Sequence, residues 1–220
     1  MLEYSPCKGE IYMAIFELSS LQEYEQAVKE NSSMSLGKGK EGECFLGPDN
    51  YVYKVFNGEL DVHLKPENII TSDMIRSTHF VFPNQVYTCN GKVIGTQSDF
   101  KPVIDKNPNF RELESNFIEA VNSFALELEK LTKQGFIALD FGNNFIFNGY
   151  DLFNIDTTNH VFDLEGKYDI DFLMAYNFHG FLDSIERILG EDYTPAIKET
   201  CDLLRNTYVN NSFDNLSKTK

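Results

Sequence analysis

Leu36–Phe56, LGKGKEGECFLGPDNYVYKVF, is the stretch whose reading decides the fold. It predicts two strands. The first begins inside a glycine triplet, Gly37, Gly39 and Gly42, and runs on through Cys44-Phe45-Leu46; the second is Tyr51 to Phe56, with Lys54 near its end. Gly47-Pro48-Asp49-Asn50 supplies the turn between them. A glycine has no Cβ to hold the backbone away from a phosphate and reaches positive φ cheaply, so three of them in a hairpin can cover a triphosphate. A lysine on the returning strand then meets the phosphates from the other side. The same letters also suit a glycine-rich β-turn beside a surface lysine, and only their context separates the two readings.

Composition narrows that context. With 220 residues and ordinary apolar and charged fractions, the chain has volume for one or two domains with a real core. No unbroken apolar run of membrane-spanning length occurs and no basic-then-apolar leader opens the sequence, so the expectation is a cytoplasmic protein without a membrane partner. Cys7, Cys44, Cys89 and Cys201 lack C-x-x-C spacing, which argues against a zinc site and fits reduced thiols. A formal net charge of -15 opposes bulk nucleic-acid binding. A single nucleotide in a local pocket with a metal ion is not excluded by that sign.

Outward from the glycine stretch, Ile11–Leu18 suits a strand or short helix, and Ser19-Ser20 ahead of Gln22-Glu23 reads as a cap for a helix over Leu21–Lys29. Leu60–Arg76 is polar with helical potential, interrupted by Pro66. Phe80–Thr88 and Lys92–Gln97 read as a second hairpin around Asn90-Gly91. These pieces predict a compact first lobe of four strands and one intervening helix at 34–99, behind an extension at 1–33, with 100–109 as the crossing to a second lobe.

The second lobe, 110–209, opens with the clearest helix, Phe110–Gln134, where Leu113, Phe117, Val121, Phe124, Leu128 and Leu131 recur at helical spacing before Gly135. Asp140-Phe141-Gly142-Asn143-Asn144 follows a short apolar run, and a third hairpin, Phe145–Phe147 with Leu152–Ile155, leads into Asp156-Thr157-Thr158. Helices are expected over Ile170–Leu189 and Pro195–Val209, and 210–220 as a frayed polar tail.

Glycine hairpin, strand lysine, helix, second hairpin, connector, long helix, Asp/Asn loop and a hairpin ending in aspartate is an order that resembles the protein-kinase-like superfamily, over about residues 34–165. Val81-Phe82-Pro83 with Tyr87, Asn90-Gly91-Lys92 and Ile94-Gly95 is similar to the inter-lobe hairpin of small divergent bacterial kinase-like proteins. The resemblance implies an α+β, two-lobed fold with a mainly β N-terminal lobe and a reduced, mainly helical C-terminal lobe. It further implies that ATP and magnesium bind, with Gly37, Gly39 and Gly42 over the phosphates and Lys54 on the α- and β-phosphates. Asp156 and Asn144 would hold metal, and Asp140 would accept or orient the acceptor hydroxyl. Ser98 to Lys101, with Phe100, would meet the base, and Glu67, or next Glu59, would pair with Lys54. The expected function is γ-phosphoryl transfer to a hydroxyl of a protein or small molecule, or, in the alternative, a pseudokinase that binds nucleotide or a protein partner.

Chemistry independent of the resemblance favours the same residues. Phosphoryl transfer needs charge neutralisation more than covalent help, so a lysine, one or two carboxylates and an Asn oxygen suffice. Asp156 directly follows the apolar Phe153-Asn154-Ile155, where a carboxylate is costly unless it meets solvent or a metal. Asp156-Thr157-Thr158 and Asp140 to Asn144 are also good turn chemistry.

The sequence also departs from the family. Asn144 lies four residues after Asp140 where the family places its asparagine five on, and Ala138 stands where histidine is usual. Thr157-Thr158 replaces Phe-Gly after Asp156, and no Ala-Pro-Glu follows. Two decoys are set aside: Asp140-Phe141-Gly142, which precedes a better-placed aspartate, and His63–Ile70, which mimics a catalytic loop too soon after Lys54. His79, His160 and His179 lack the spacing of a helical metal site.

Overall fold

The computed structural model describes residues 15–57, 65–102, 112–142 and 144–218. Its N-terminal part is a six-stranded sheet and its C-terminal part is mainly helical, the α+β, two-lobed arrangement expected. The sheet strands are β1 (Ile15–Glu17), β2 (Met34–Lys38), β3 (Gly42–Leu46), β4 (Tyr51–Phe56), β5 (Gln85–Cys89) and β6 (Lys92–Asp99). They lie side by side in the order β1-β5-β6-β4-β3-β2, with β1 parallel to β5 and all other pairs antiparallel.

Two corrections to the sequence reading come from this sheet. The glycine segment does not merely open the strand before Gly47: Met34–Lys38 is itself a strand that contains Gly37, Gly39 lies in the tight turn between β2 and β3, and Gly42 opens β3, so the segment makes one hairpin earlier than expected. That turn is closed by the Gly39 N–H donating to the Gly42 carbonyl at 2.8 Å. The short run Met34-Ser35-Leu36, ending in glycine, carries too little apolar alternation to announce a strand, and it is stabilised by pairing with β3. The second correction is that the segment expected as an extension contributes to the sheet through β1, while α1 (Leu21–Asn31) covers its outer face. Ser20 caps α1 by accepting the Glu23 N–H at 3.1 Å, as the sequence predicts.

Alternation along β4 sorts the two faces. Tyr53 and Val55 pack with Tyr24 and Val28 of α1, and with Phe45 and Ile94, on the outer face. Phe56 joins Ile69, Val86 and Val93 on the other face, which is also the face of Lys54 by the two-residue period. The second hairpin turns at Asn90 and Gly91, whose φ of 52° and 71° are the left-handed pair that an Asn-Gly turn supplies.

The helix expected within Leu60–Arg76 does not form in its described part. Residues 65–76 make a 3-10 turn at Pro66–Asn68 and one further turn closed by the Met74 and Ile75 N–H groups on the Thr71 carbonyl, and Glu67 is exposed there. Proline at the start of that turn and the burial of Ile69 and Ile70 in two different clusters hold the segment extended. Glu59 and His63 lie outside the described residues, as does most of the expected connector.

The C-terminal part is built on α2 (Glu114–Thr132) and α3 (Ile170–Leu189). Phe117, Val121, Phe124, Leu128 and Leu131 of α2 are buried as their spacing predicts. Phe124 stacks on Phe181 of α3 with ring centroids 4.6 Å apart, and such a ring truncated to alanine costs about 3–5 kcal/mol. Two small ribbons lie against these helices: β7 (Phe136–Ile137) with β10 (Val161–Phe162), and β8 (Phe145–Phe147) with β9 (Leu152–Asn154). α4 (Pro195–Leu204) runs through one wide turn, Arg205–Asn210, into α5 (Asn211–Lys218), so the tail expected to fray is helical. Val209 and Ser212 are buried at a three-residue spacing there, a pattern hidden by the polar letters around it.

Candidate functional site

Lys54 stands in β4 between Cys44 of β3 and Thr96 of β6, so its backbone is fixed on both sides. Its ammonium lies 2.8 Å from an Asp156 carboxylate oxygen, 3.0 Å from Glu41 and 5.1 Å from the centre of the Phe56 ring. Burial disfavours the charged amine, but Asp156 and Glu41 outweigh it and leave its proton affinity raised. Lys54 is therefore a fixed cation at the meeting of the two lobes. Burial pushes the neighbouring Cys44 thiol up, which keeps it protonated.

Asp156 is positioned by hydrogen bonds to backbone on either side of it. The Asn154 N–H donates to the His79 carbonyl at 2.8 Å, the Val81 N–H donates to the Asn154 carbonyl at 2.9 Å, and the Ile155 N–H donates to the Asn144 carbonyl at 2.8 Å. Thr157 donates its hydroxyl to the Val81 carbonyl at 2.9 Å, and Thr158 donates to Asp156 itself at 3.1 Å. Thr157 and Thr158 thus hold the turn at Asp156 through their hydroxyls.

Asp140 and Asn144 flank the same turn. A Cβ built at Gly142, whose φ is 44°, would stand 2.9 Å from the Asp140 carboxylate and 3.4 Å from the Asn144 amide nitrogen. The backbone of this loop is held by Asn177 of α3, which accepts the Ala138 N–H at 2.9 Å and donates to the Phe136 carbonyl at 2.7 Å. Burial, then the nearby Asp156 and Glu41, raise the Asp140 proton affinity, against the pull of Arg187 and Lys54. The structure therefore brings Lys54, Asp156 and Asp140 within electrostatic reach of each other.

Two further residues belong to this group and were not read from the sequence. Glu41, inside the glycine turn, spans Lys54 and Asn159, whose amide donates to it at 3.4 Å. The turn that carries it is pinned by Asn57, which donates its N–H to the Glu41 carbonyl and its amide to the Lys40 carbonyl at 2.9 and 2.5 Å. The signal lay within the glycine triplet, since an acid at that point has no packing reason to be there. The expected partner of Lys54, Glu67, is replaced by Glu41 and Asp156 in the ion pairs that Lys54 makes.

The three glycines are not equivalent. A Cβ on Gly42 would stand 2.1 Å from the Val55 carbonyl oxygen, so the sheet itself requires that glycine, while one on Gly37 or Gly39 would meet nothing within 4 Å. Ser98 pairs with Val52, two residues along β6 from the Thr96 that faces Lys54, and so lies about 7 Å away on the same face. Phe100 follows the end of that strand and is half-buried. A cavity of about 490 Å³ lies under α1, lined by Tyr24, Val28, Pro48, Tyr53 and Tyr87. It opens on the outer face of the sheet, opposite Lys54, so convergence of charge rather than hollow volume locates the site. Among the described residues no three His, Cys, Asp or Glu side chains are arranged to hold a metal, and no helix is long and apolar enough to cross a membrane.

Comparison with protein-family models and with curated proteins gives no match. Among solved structures, the chain is similar to the Legionella pneumophila Lpg2603 kinase bound to IP6, at a TM-score of 0.45 and 18% identity over 68% of this chain. The match spans 57% of that kinase's chain, a little over half its length. The order of elements in the present structure, with a lysine delivered by the sheet and carboxylates by the loops of the helical part, is consistent with a kinase-like two-lobed fold.

Proposed function

We propose that the chain is an ATP- and magnesium-dependent phosphotransferase that moves a γ-phosphoryl group to a hydroxyl. The observation that carries this reading is the 2.8 Å contact between Lys54 and Asp156, made across the two lobes, below the glycine turn and beside Asp140. A part-buried, fixed cation of this kind suits the α- and β-phosphates of a nucleotide laid between the lobes. Asp156 and Asn144 offer the carboxylate and amide oxygens that magnesium takes when substrate phosphates and water complete its shell, and the ion would neutralise charge on the β- and γ-oxygens.

In the reaction, the acceptor oxygen attacks the γ-phosphorus in line, the bond to the β,γ-bridging oxygen breaks, and ADP leaves. Asp140 takes the proton released by the acceptor. Its raised proton affinity, caused by burial and by Asp156 and Glu41, makes it a better base than a free aspartate. Lys54 already serves Glu41 and Asp156, so entering phosphates would compete with Glu41 for the ammonium.

That same contact favours a second reading, a pseudokinase whose Lys54 stays engaged by its own chain. A thermal-shift titration with ATP and magnesium, followed by transfer of labelled γ-phosphate to a panel of hydroxyl acceptors, separates the two. Stabilisation with transfer supports the enzyme; stabilisation without transfer, and with Asp140→Asn harmless to function, supports the binding module.

A further inference from the structure

The side of α3 that leads towards Asp140 carries a ladder of bare rings. Tyr168 stacks on Phe172 at 5.5 Å, and Phe172 on Tyr176 at 6.2 Å, with planes inclined by 19° and 22°. Their exposures are 51%, 41% and 42%, in a chain whose other phenylalanines largely fill the core. Leu164, Ile170 and Leu139 are exposed as well. Scattered apolar side chains at a surface need no explanation, but an ordered aromatic stripe does.

The stripe is continuous with the candidate site. Gly180, one turn beyond Tyr176 on the same side of α3, lies against the ring of Phe141, the residue after Asp140, 3.3 Å from where its Cβ would be. An occupant lying along the rings would therefore present its end to Asp140.

Charge selects the occupant. Between 163 and 171 the chain has four acids, Asp163, Glu165, Asp169 and Asp171, and one base, Lys167, which Glu165 already engages at 2.9 Å. The exposed rings offer apolar surface on which the aliphatic stems of arginine and lysine lie while their charged heads meet the acids. Arg187, at the far end of the same helix, is the cation nearest Asp140 on this element and lies beyond the ladder. A second copy of this chain, at a net charge of -15, would be repelled, as would an anionic membrane.

Resting on the kinase-like reading, we propose that this face seats the phosphoryl acceptor, and that the acceptor is a peptide segment with arginine or lysine beside its serine or threonine. The rings hold the cationic side chains and the acids steer them, which places the hydroxyl at the Asp140 loop. The sequence alone left the acceptor open between a protein and a small molecule, because it could not show that Phe172 and Tyr176 face outwards in register.

The test is fluorescence anisotropy of the full chain, without nucleotide, using a short labelled peptide with serine flanked by arginines and its arginine-to-alanine and arginine-to-glutamate versions. The arginine peptide is expected to bind best, and Phe172→Ala with Tyr176→Ala to weaken it about tenfold. Asp171→Asn, which leaves the rings intact, should weaken it less and reduce the salt dependence. Circular dichroism melts of each variant separate lost binding from lost fold. Equal binding of the three peptides, unchanged binding by a folded ring variant, or sedimentation as a dimer that the ring substitutions dissolve would overturn the proposal. Binding is read without nucleotide, so peptide binding with no γ-phosphate transfer in a separate assay with ATP and magnesium removes the kinase reading while the peptide-binding face stands, and transfer to a non-peptide acceptor without peptide binding removes this proposal alone.

Discussion

Lys54 and Asp156 are 102 residues apart in the sequence and 2.8 Å apart in the fold, one on a central strand and the other just past a hairpin of the opposite lobe. A contact of that separation must be specified by both lobes together. Lys54→Ala should therefore weaken nucleotide binding roughly 10- to 100-fold, the range for a lost charge-assisted hydrogen bond. Isothermal titration with an ATP analogue and magnesium checks this. Unchanged affinity and turnover would remove the glycine turn and Lys54 from the site.

Glu41 gives a prediction whose sign discriminates between two roles. If its carboxylate occupies the place that phosphate needs, Glu41→Gln frees Lys54, and nucleotide binds roughly two- to tenfold tighter, the scale of a partly exposed ion pair. If Glu41 instead orients Lys54 as a helix glutamate would, the same change weakens binding. The structure favours the first, because Glu41 hangs from the glycine turn and also reaches Asn159 on the floor.

The glycines separate stability from binding. Gly42→Ala forces a methyl to within 2.1 Å of the Val55 carbonyl oxygen and should cost about 1–3 kcal/mol in a denaturant melt. Gly39→Ala meets open space, so the melt should move by no more than about 0.5 kcal/mol while nucleotide affinity falls. Were Gly39→Ala neutral for both, the turn would be a connection and nothing more.

These residues also show what was legible in the sequence. Lys54, Asp140 and Asp156 were readable because each is a charged or turn-forming residue at the edge of an apolar run, and because their order resembles a known arrangement. Leu113 to Leu131 and Ile170–Leu189 announced themselves by period. What failed had a physical cause in each instance. Met34–Lys38 is a strand by pairing rather than by propensity, the 65–76 segment is held extended by Pro66 and by Ile69 and Ile70, and Ser212 is buried only because α5 packs on α3. Glu41 was missed because a partner of Lys54 was sought on a helix, whereas the fold supplies it from a turn.

Asp140 links pH to both activity and stability. Its proton affinity is raised in the folded chain by burial and by Asp156 and Glu41, so the unfolded chain gives up this proton more readily. Above the ordinary aspartate value of about 3.9 the ionised form costs the fold something, and that cost grows as pH rises through the raised value. Asp140→Asn should thus raise the melting temperature at neutral pH and lose that advantage in acid, while abolishing transfer. The acid limb of wild-type turnover should lie above the ordinary aspartate range, since Asp140 must lose its proton to act as the base. A variant no more stable than wild type at neutral pH would contradict the electrostatic account of Asp140.

His160 carries the opposite linkage. It is fully buried among Phe80, Phe136 and Phe141, its Nε2 lies 3.1 Å from Asn154, and its Nδ1 has no hydrogen-bond partner among the described residues. Burial lowers its pKa from 6.5 to about 4, with Asp156 opposing only in part. Between those values the unfolded chain binds a proton that the folded chain refuses, so this group's share of stability, on the order of 3 kcal/mol, is present above pH 6.5 and lost towards pH 4. His160→Gln keeps a donor for Asn154 and removes the titration. The difference in unfolding free energy between wild type and variant, followed by urea melts across that range, should shift in the variant's favour as pH falls. Because Asn154 donates to the Asn144 carbonyl at 3.4 Å, the same variant should leave metal-dependent nucleotide binding at neutral pH nearly intact, whereas His160→Ala, which leaves Asn154 without its partner, should loosen it. A pH-independent difference would mean that His160 is protonated in the fold, and would remove the neutral ring from beneath Asp156.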